Sequence, residues 1–311
     1  MAAVFVTREL PGDELGRLRD AGHTVDVWAK RLPPPPAALR QRAADADGLL
    51  SLLTDRVDED LLDACPRLRV VANLAVGCDN IDVAAAAARG VAVGNTPDVL
   101  TDSTADLAFA LILAALRRLP EGIAAVRDGW WTTWDPGWLL GRDAHGATLG
   151  IVGRGRIGDA VARRGAGFDM TVLHHNRSGG IALDELLERS DVVSLHCPLT
   201  EETRGLVDEA FLRAMRTGAI LVNTARGPIV DQVALTTALR EGWIAGAALD
   251  VTDPEPLPAD DPLLAAPNLI VLPHLGSATR ATRERMSALA VDNLLAGLSG
   301  SPLPHAVEVP A

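Results

Sequence analysis

Leu149-Gly150-Ile151-Val152-Gly153-Arg154-Gly155-Arg156-Ile157-Gly158 is the stretch on which the fold turns. Residues 149–152 form an apolar run that reads as a buried strand, residues 153–158 fit the pattern G-x-G-x-x-G, and residues 157–165 continue as a helix. In that setting Gly153, Gly155 and Gly158 permit a tight turn. They also let a pyrophosphate approach the backbone at a helix N-terminus, where N–H groups and the helix dipole favour an anion. A purely structural glycine turn is the plain alternative, and the coincidence of strand, turn and helix argues for dinucleotide binding. About twenty residues on, an NAD-preferring site presents a carboxylate to the ribose 2′-hydroxyl. Here the sequence is His174-His175-Asn176-Arg177-Ser178. Arg177 can pair with a 2′-phosphate and Asn176 and Ser178 can hydrogen-bond to it, so NADP(H) is favoured and NAD(H) remains possible. The alternative for Arg177 is a solvated loop charge.

Outward from this motif, strands are expected at 149–152, 171–174, 192–196, 219–223, 247–250 and 269–272. With helices between them they suit a doubly wound parallel sheet. The first third alternates in the same way, with strands at 3–6, 25–28, 48–53, 68–74 and 91–93, and Pro33 to Pro36 as a surface connection. Between the two series, Asp102 or Ser103 can cap a helix. Its Ala105, Ala108, Phe109, Ile112, Ala115 and Leu116 recur at helical spacing, and it ends near Arg117 and Arg118, before Pro120. That helix is a natural hinge, a Trp-rich loop at 130–138 follows, and residues 281–298 read as a helix returning to the first lobe. The expected fold is α/β with two Rossmann-like lobes: a dinucleotide-binding domain over 99–280, and a smaller flavodoxin-like substrate domain over 1–98 plus 281–311.

At 311 residues the chain exceeds one ordinary core,. Its net charge of −12 opposes a phosphate backbone, which argues against nucleic acid, so an anionic substrate needs positioned arginines and N–H groups,. Cys65, Cys78 and Cys197 form no paired or metal-binding pattern, no apolar run is long enough for a membrane span, and residues 1–7 read as a strand rather than a leader. A cytoplasmic protein without metal is expected.

Hydride transfer to a 2-oxo acid needs a cation for the carboxylate, an acid for the developing alkoxide, and a group that keeps the acid charged. Arg226 follows a strand and would point to the crevice at the carboxyl end of the sheet. His274 follows another strand and carries the side chain best suited to give a proton near neutrality. Glu255 lies between Pro254 and Pro256 and would favour and orient a charged imidazole. Their plain alternatives are a surface ion pair, an ordinary buried histidine and a turn carboxylate in water.

Together these stretches make the chain resemble the D-isomer-specific 2-hydroxyacid dehydrogenase family, in its glyoxylate/hydroxypyruvate reductase branch. The matching segments are NLAVGCDNID (73–82), GNTP (94–97), TDSTADL (101–107), the glycine turn (153–158), HCPLT (196–200), NTARG (223–227), DVTDPEP (250–256) and HLGSAT (274–279). The resemblance implies that Arg226 binds substrate, His274 is the acid/base and Glu255 its partner, with the backbone at Val76 and Gly77 holding the substrate carboxylate. It implies that Thr104, Gly155, Arg156, Ile157, Asn176, Arg177, Ser178, Cys197, Pro198, Thr203, Thr224, Ala225, Arg226, Asp250, His274 and Gly276 line the cofactor. Leu53 and Trp138 would shape the substrate pocket, Trp138 from across a homodimer or else as simple packing. Reduction of glyoxylate or hydroxypyruvate to the D-2-hydroxy acid in a cleft between the lobes is the implied activity. A dehydrogenase of 3-phosphoglycerate, formate or phosphite, and a dinucleotide-sensing corepressor-like protein, are the alternatives.

Overall fold

A computed structural model describes residues 1–309. In chain order the elements are β1 (Ala3–Val6), α1 (Leu15–Asp20), β2 (Thr24–Val27), α2 (Pro36–Ala43), β3 (Gly48–Ser51), α3 (Glu59–Ala64), β4 (Val70–Asn73), α4 (Val83–Ala88) and β5 (Ala92–Gly94). Two helices follow, α5 (Thr101–Leu116) and α6 (Leu119–Arg127). Then come β6 (Thr148–Val152), α7 (Arg156–Gly167), β7 (Thr171–Asn176), β8 (Gly179–Gly180), α8 (Leu183–Arg189), β9 (Val192–Leu195), α9 (Glu209–Ala214), β10 (Ile220–Asn223), α10 (Gln232–Glu241), β11 (Gly246–Leu249), β12 (Leu269–Val271) and α11 (Arg280–Ser299). The chain divides into two compact units, residues 1–100 with 278–311 and residues 101–277.

The first unit carries a parallel sheet in the order β2-β1-β3-β4-β5, the flavodoxin-like arrangement,. Leu49, Val71 and Val93 face one core with Leu39, Leu61, Leu62 and Ala86 of the intervening helices. Chain return by α11 covers β3 and β4. Small residues let it in close: a Cβ on Gly297 would stand 2.6 Å from Val70 Cβ, and Gly48 leaves room for Leu294 and Leu298.

The second unit has the order β12-β11-β10-β9-β6-β7-β8, parallel except for the two-residue β8, which pairs antiparallel with β7. Period-two alternation splits its central strands between two cores. Leu149, Ile151, Val192, Ile220, Val222 and Ala248 pack on the side of α5 and α7, whereas Val193, Leu195, Leu221, Ala247 and Leu249 face the other core. Ser190 Oγ and Leu186 sit where a side chain on Gly150 would go.

Helix α5 ends at Leu116, close to where the spacing predicts, and packs on α7, β10 and β11. Two features go beyond the sequence reading. Pro120 stands in the first turn of a further helix, α6, where a missing N–H costs nothing, and Arg118 at φ 53° makes the break between the helices,. The sheet has seven strands because β8 is added beyond the expected six. No helix among the described residues is long and apolar enough to cross a membrane.

Candidate active site

The glycine turn is shaped by contacts on three sides. Gly153 has φ +93°, and a Cβ there would collide with the backbone of Cys197 and His196. On Gly158 it would stand 2.5 Å from the Gly153 carbonyl oxygen, while at Gly155 it would meet nothing within 4 Å. Gly155 is the N-cap of α7 and offers no side-chain cap, so the first N–H groups of the helix keep no partner from the cap,. In the same unit the Thr224 hydroxyl, at the end of β10, is buried and has no hydrogen-bond partner among the described residues. Open space over Gly155, an uncapped helix start and an orphaned hydroxyl fit a dinucleotide.

The carboxamide of Asn176 is already engaged with this turn. Its Oδ1 accepts from the Arg154 N–H, and its Nδ2 donates to the Arg154 carbonyl at 3.2 Å. Asn176 thus ties the end of β7 to the glycine turn with one of its two amide hydrogens and one lone pair of its oxygen,. Arg177 and Ser178 are exposed just beyond it. Thr203 braces the 197–200 segment by donating to the Pro198 carbonyl at 2.7 Å and accepting from Thr200 N–H at 2.8 Å.

The three candidates for chemistry meet within the second unit. Asn223, fully buried at the end of β10, donates to the Arg226 carbonyl at 2.9 Å and accepts from Ala225 N–H at 3.0 Å, which folds the turn that presents Arg226. A side chain on Gly227 would strike the Thr252 carbonyl, so this turn lies against the segment leading to Glu255. Glu255 uses both oxygens: Oε1 accepts from Thr252 N–H at 3.1 Å and Oε2 lies 2.9 Å from His274 Nδ1. Burial alone would push Glu255 up. The His274 hydrogen bond and charge, the Thr252 N–H and the Arg226 charge outweigh it, and the carboxyl sits below the usual glutamate range. An ionised carboxylate only accepts, so Nδ1 carries the proton and Nε2 is the nitrogen left for exchange.

His274 has φ +56°, a conformation that side-chain-bearing residues adopt at a cost,. Asp250 holds it there. The Asp250 carbonyl accepts from His274 N–H at 2.9 Å, and its carboxylate accepts from Leu275 N–H at 2.7 Å and Gly276 N–H at 2.8 Å. Burial pushes the Asp250 carboxyl up while those N–H groups pull it down, and it settles above the ordinary aspartate range. Asp250 is 1% exposed, so its place in the site is beneath the loop. Thr104 lies against Gly276 on the other side, 3.2 Å from where a Cβ would be. Burial pushes His196, the histidine of the 196–200 segment, down to about 4, and its Nε2 bonds Ser194 Oγ at 2.8 Å; it stays neutral and is no rival acid.

An acid braced by a carboxylate, with an arginine beside them at the carboxyl ends of a Rossmann sheet, is the equipment of a 2-hydroxyacid dehydrogenase. Residues 109–276 match the model of the D-isomer specific 2-hydroxyacid dehydrogenase, NAD binding domain. A glyoxylate reductase of Korarchaeum cryptofilum is 49% identical over 98% of this chain and 95% of its own. The chain belongs to the D-isomer specific 2-hydroxyacid dehydrogenase family. Among solved structures, a Thermus thermophilus protein shares 51% identity at a TM-score of 0.95, covering 98% of this chain and 100% of that one. An NADPH-dependent glyoxylate/hydroxypyruvate reductase of Sinorhizobium meliloti, solved with NADP and malonate, shares 35% identity at a TM-score of 0.86, with 98% and 96% covered.

In the first unit of this dehydrogenase, three asparagines that sequence reasoning missed shape the Val76–Gly77 backbone. Asn95 Nδ2 donates to the Val76 carbonyl at 2.8 Å, and Asn73 Nδ2 to the Gly77 carbonyl at 2.9 Å and to Asn80 Oδ1 at 3.1 Å. Asn80 Nδ2 ties the loop to the carbonyls of Leu52 and Asp55 at 3.1 and 2.9 Å. With both carbonyls held, the Val76 and Gly77 N–H groups are left without an acceptor among the described residues. Leu53 is half-buried beside Leu52, and Trp138 is 38% exposed. Paired polar side chains scattered along a sequence have no spacing signature, so only the fold could reveal this network.

Proposed function

We propose that this dehydrogenase reduces glyoxylate, and hydroxypyruvate with it, to the D-2-hydroxy acid, with NADPH preferred to NADH. The reading is supported above all by the 2.9 Å contact of His274 Nδ1 with a Glu255 carboxylate that is itself fixed by Thr252, in a chain so similar to glyoxylate reductases. The bound nicotinamide nucleotide supplies the hydride. Gly153, Gly155 and Gly158 with the start of α7 would hold its pyrophosphate, Thr224 and Thr104 would line its site, and Arg177 with Ser178 would meet the 2′-phosphate.

Arg226 grips the substrate by charge-assisted hydrogen bonds, and the N–H groups of Val76 and Gly77 are assigned to the carboxylate. His274 gives the proton on Nε2 to the forming hydroxyl while Glu255 stabilises the imidazolium through Nδ1. Because Glu255 is depressed below its usual range, its support is complete above about pH 4.3 and is lost only as pH falls through the lowered value,. Glu255→Gln removes the carboxylate. Its turnover near neutral pH is expected to fall about tenfold, with the alkaline limb of the kcat profile moved to lower pH. An unmoved limb would separate Glu255 from the proton on His274.

The preference for NADPH is tested by kcat/KM for both nucleotides at saturating glyoxylate; equal values, or preference for NADH, overturn it. A homodimer accompanies this reading: Trp130, Trp131, Trp134 and Leu140 expose apolar surface along the segment after α6, and Ile123 and Val126 do so on α6 itself,. Sedimentation should give twice the chain mass, and a monomer at micromolar concentration contradicts the assignment. A cytoplasmic setting suits Cys65 and Cys197, buried thiols outside any disulfide that burial pushes up to about 11,.

A further inference from the structure

Residue 154 occupies the first variable position of the glycine turn and here is an arginine, for which sequence reasoning found no role. Its main chain is bonded from both sides by the Asn176 carboxamide, so residue 154 and the β7 end are one rigid piece. The side chain runs along that same edge. Arg154 Nε donates to Asp159 Oδ1 at 2.6 Å, and Nη1 lies 3.2 Å from His174 Nδ1, which must accept because a guanidinium only donates,. The remaining guanidinium N–H donors have no partner among the described residues, the side chain is 41% exposed, and Gly155 next to it leaves open space.

We infer that Arg154 is a second arginine for the adenosine 2′-phosphate, a specificity-determining residue that works with Arg177; the inference rests on the NADPH reading. Asn176, the residue expected at that phosphate, bonds both main-chain polar groups of Arg154 and so fixes the guanidinium's root beside the same site. A 2′-hydroxyl offers the guanidinium nothing better than Asp159, so with NADH the Arg154–Asp159 pair persists. A dianionic phosphate beside Asn176 competes for the same fork and engages the unpartnered donors. Asp159 sets the threshold of this exchange, since it both holds the guanidinium and repels the phosphate.

The test is calorimetric titration of the full-length protein with 2′,5′-ADP and with 5′-AMP, two probes that differ by the phosphate in question. Arg154→Ala is expected to weaken 2′,5′-ADP about tenfold and 5′-AMP less than twofold, the scale of one exposed charge-assisted contact. Arg154→Lys should recover part of the loss, because the charge returns without the fork. Asp159→Asn should tighten 2′,5′-ADP several-fold, and by less when Arg154 is already alanine. Equal weakening of both probes would make Arg154 a structural residue, and no weakening of either would leave Arg177 acting alone; each overturns the inference. If the unaltered protein binds 5′-AMP as tightly as 2′,5′-ADP, the NADPH reading itself has failed. If only Arg177→Ala loses discrimination, that reading stands and the role of Arg154 does not.

Discussion

Replacing His274 with alanine is expected to lower kcat for glyoxylate reduction roughly a thousandfold, about 4 kcal/mol of barrier, while leaving the affinity for the nucleotide within a few-fold. The size follows from what Nε2 does: among the described residues of the second unit, no other histidine has a carboxylate fixed on its far ring nitrogen. His274 also sits at φ +56°, so alanine changes the strain of the loop together with its chemistry. Asparagine tolerates that conformation better. His274→Asn should therefore lose as much turnover as His274→Ala while melting closer to the unaltered protein. Retained turnover in either variant removes His274 from the mechanism, and a loss confined to nucleotide binding makes it a cofactor contact only.

Arg226 carries the second large effect. Arg226→Gln is expected to reduce kcat/KM for glyoxylate by two to three orders of magnitude, the scale on which a planar, charge-assisted grip on a carboxylate or its neighbouring carbonyl is lost. Arg226→Lys should fall between, since lysine restores a point charge but not the fork. The loss should appear in KM as well as kcat, which distinguishes it from the His274 variants, and Arg226 also helps hold Glu255 below its usual range,. A variant whose KM for glyoxylate is unchanged would place the substrate away from Arg226.

Much of this was legible because glycine leaves a strong mark. Gly153 and Gly158 have no room for a side chain, and the strand and helix on either side of them follow from apolar periodicity, so the order 149–158 could be read as strand, turn and helix. Partnerships between distant residues were less accessible. Glu255 and His274 are 19 residues apart, and their contact depends on β11 and β12 lying side by side, which spacing does not encode. Asp250 reads as one more residue at a strand end, yet burial and two backbone N–H donors make it the support of the His274 loop. Asn176 shows the same limit. Its amide suits a phosphate or a peptide group equally well, and only the geometry of the glycine turn shows that it bonds the peptide groups of Arg154. Helix α6 was hidden by Pro120, which stops a helix when interior but starts one when in the first turn,.

The most direct test of the central claim is the initial rate of NADPH oxidation by the purified full-length protein with glyoxylate, followed at the reduced-nicotinamide absorbance band beside His274→Asn. The account predicts rapid oxidation that requires both glyoxylate and His274, with D-glycerate formed when hydroxypyruvate replaces glyoxylate. Absence of oxidation with glyoxylate and hydroxypyruvate, in a protein that binds the nucleotide, would contradict it.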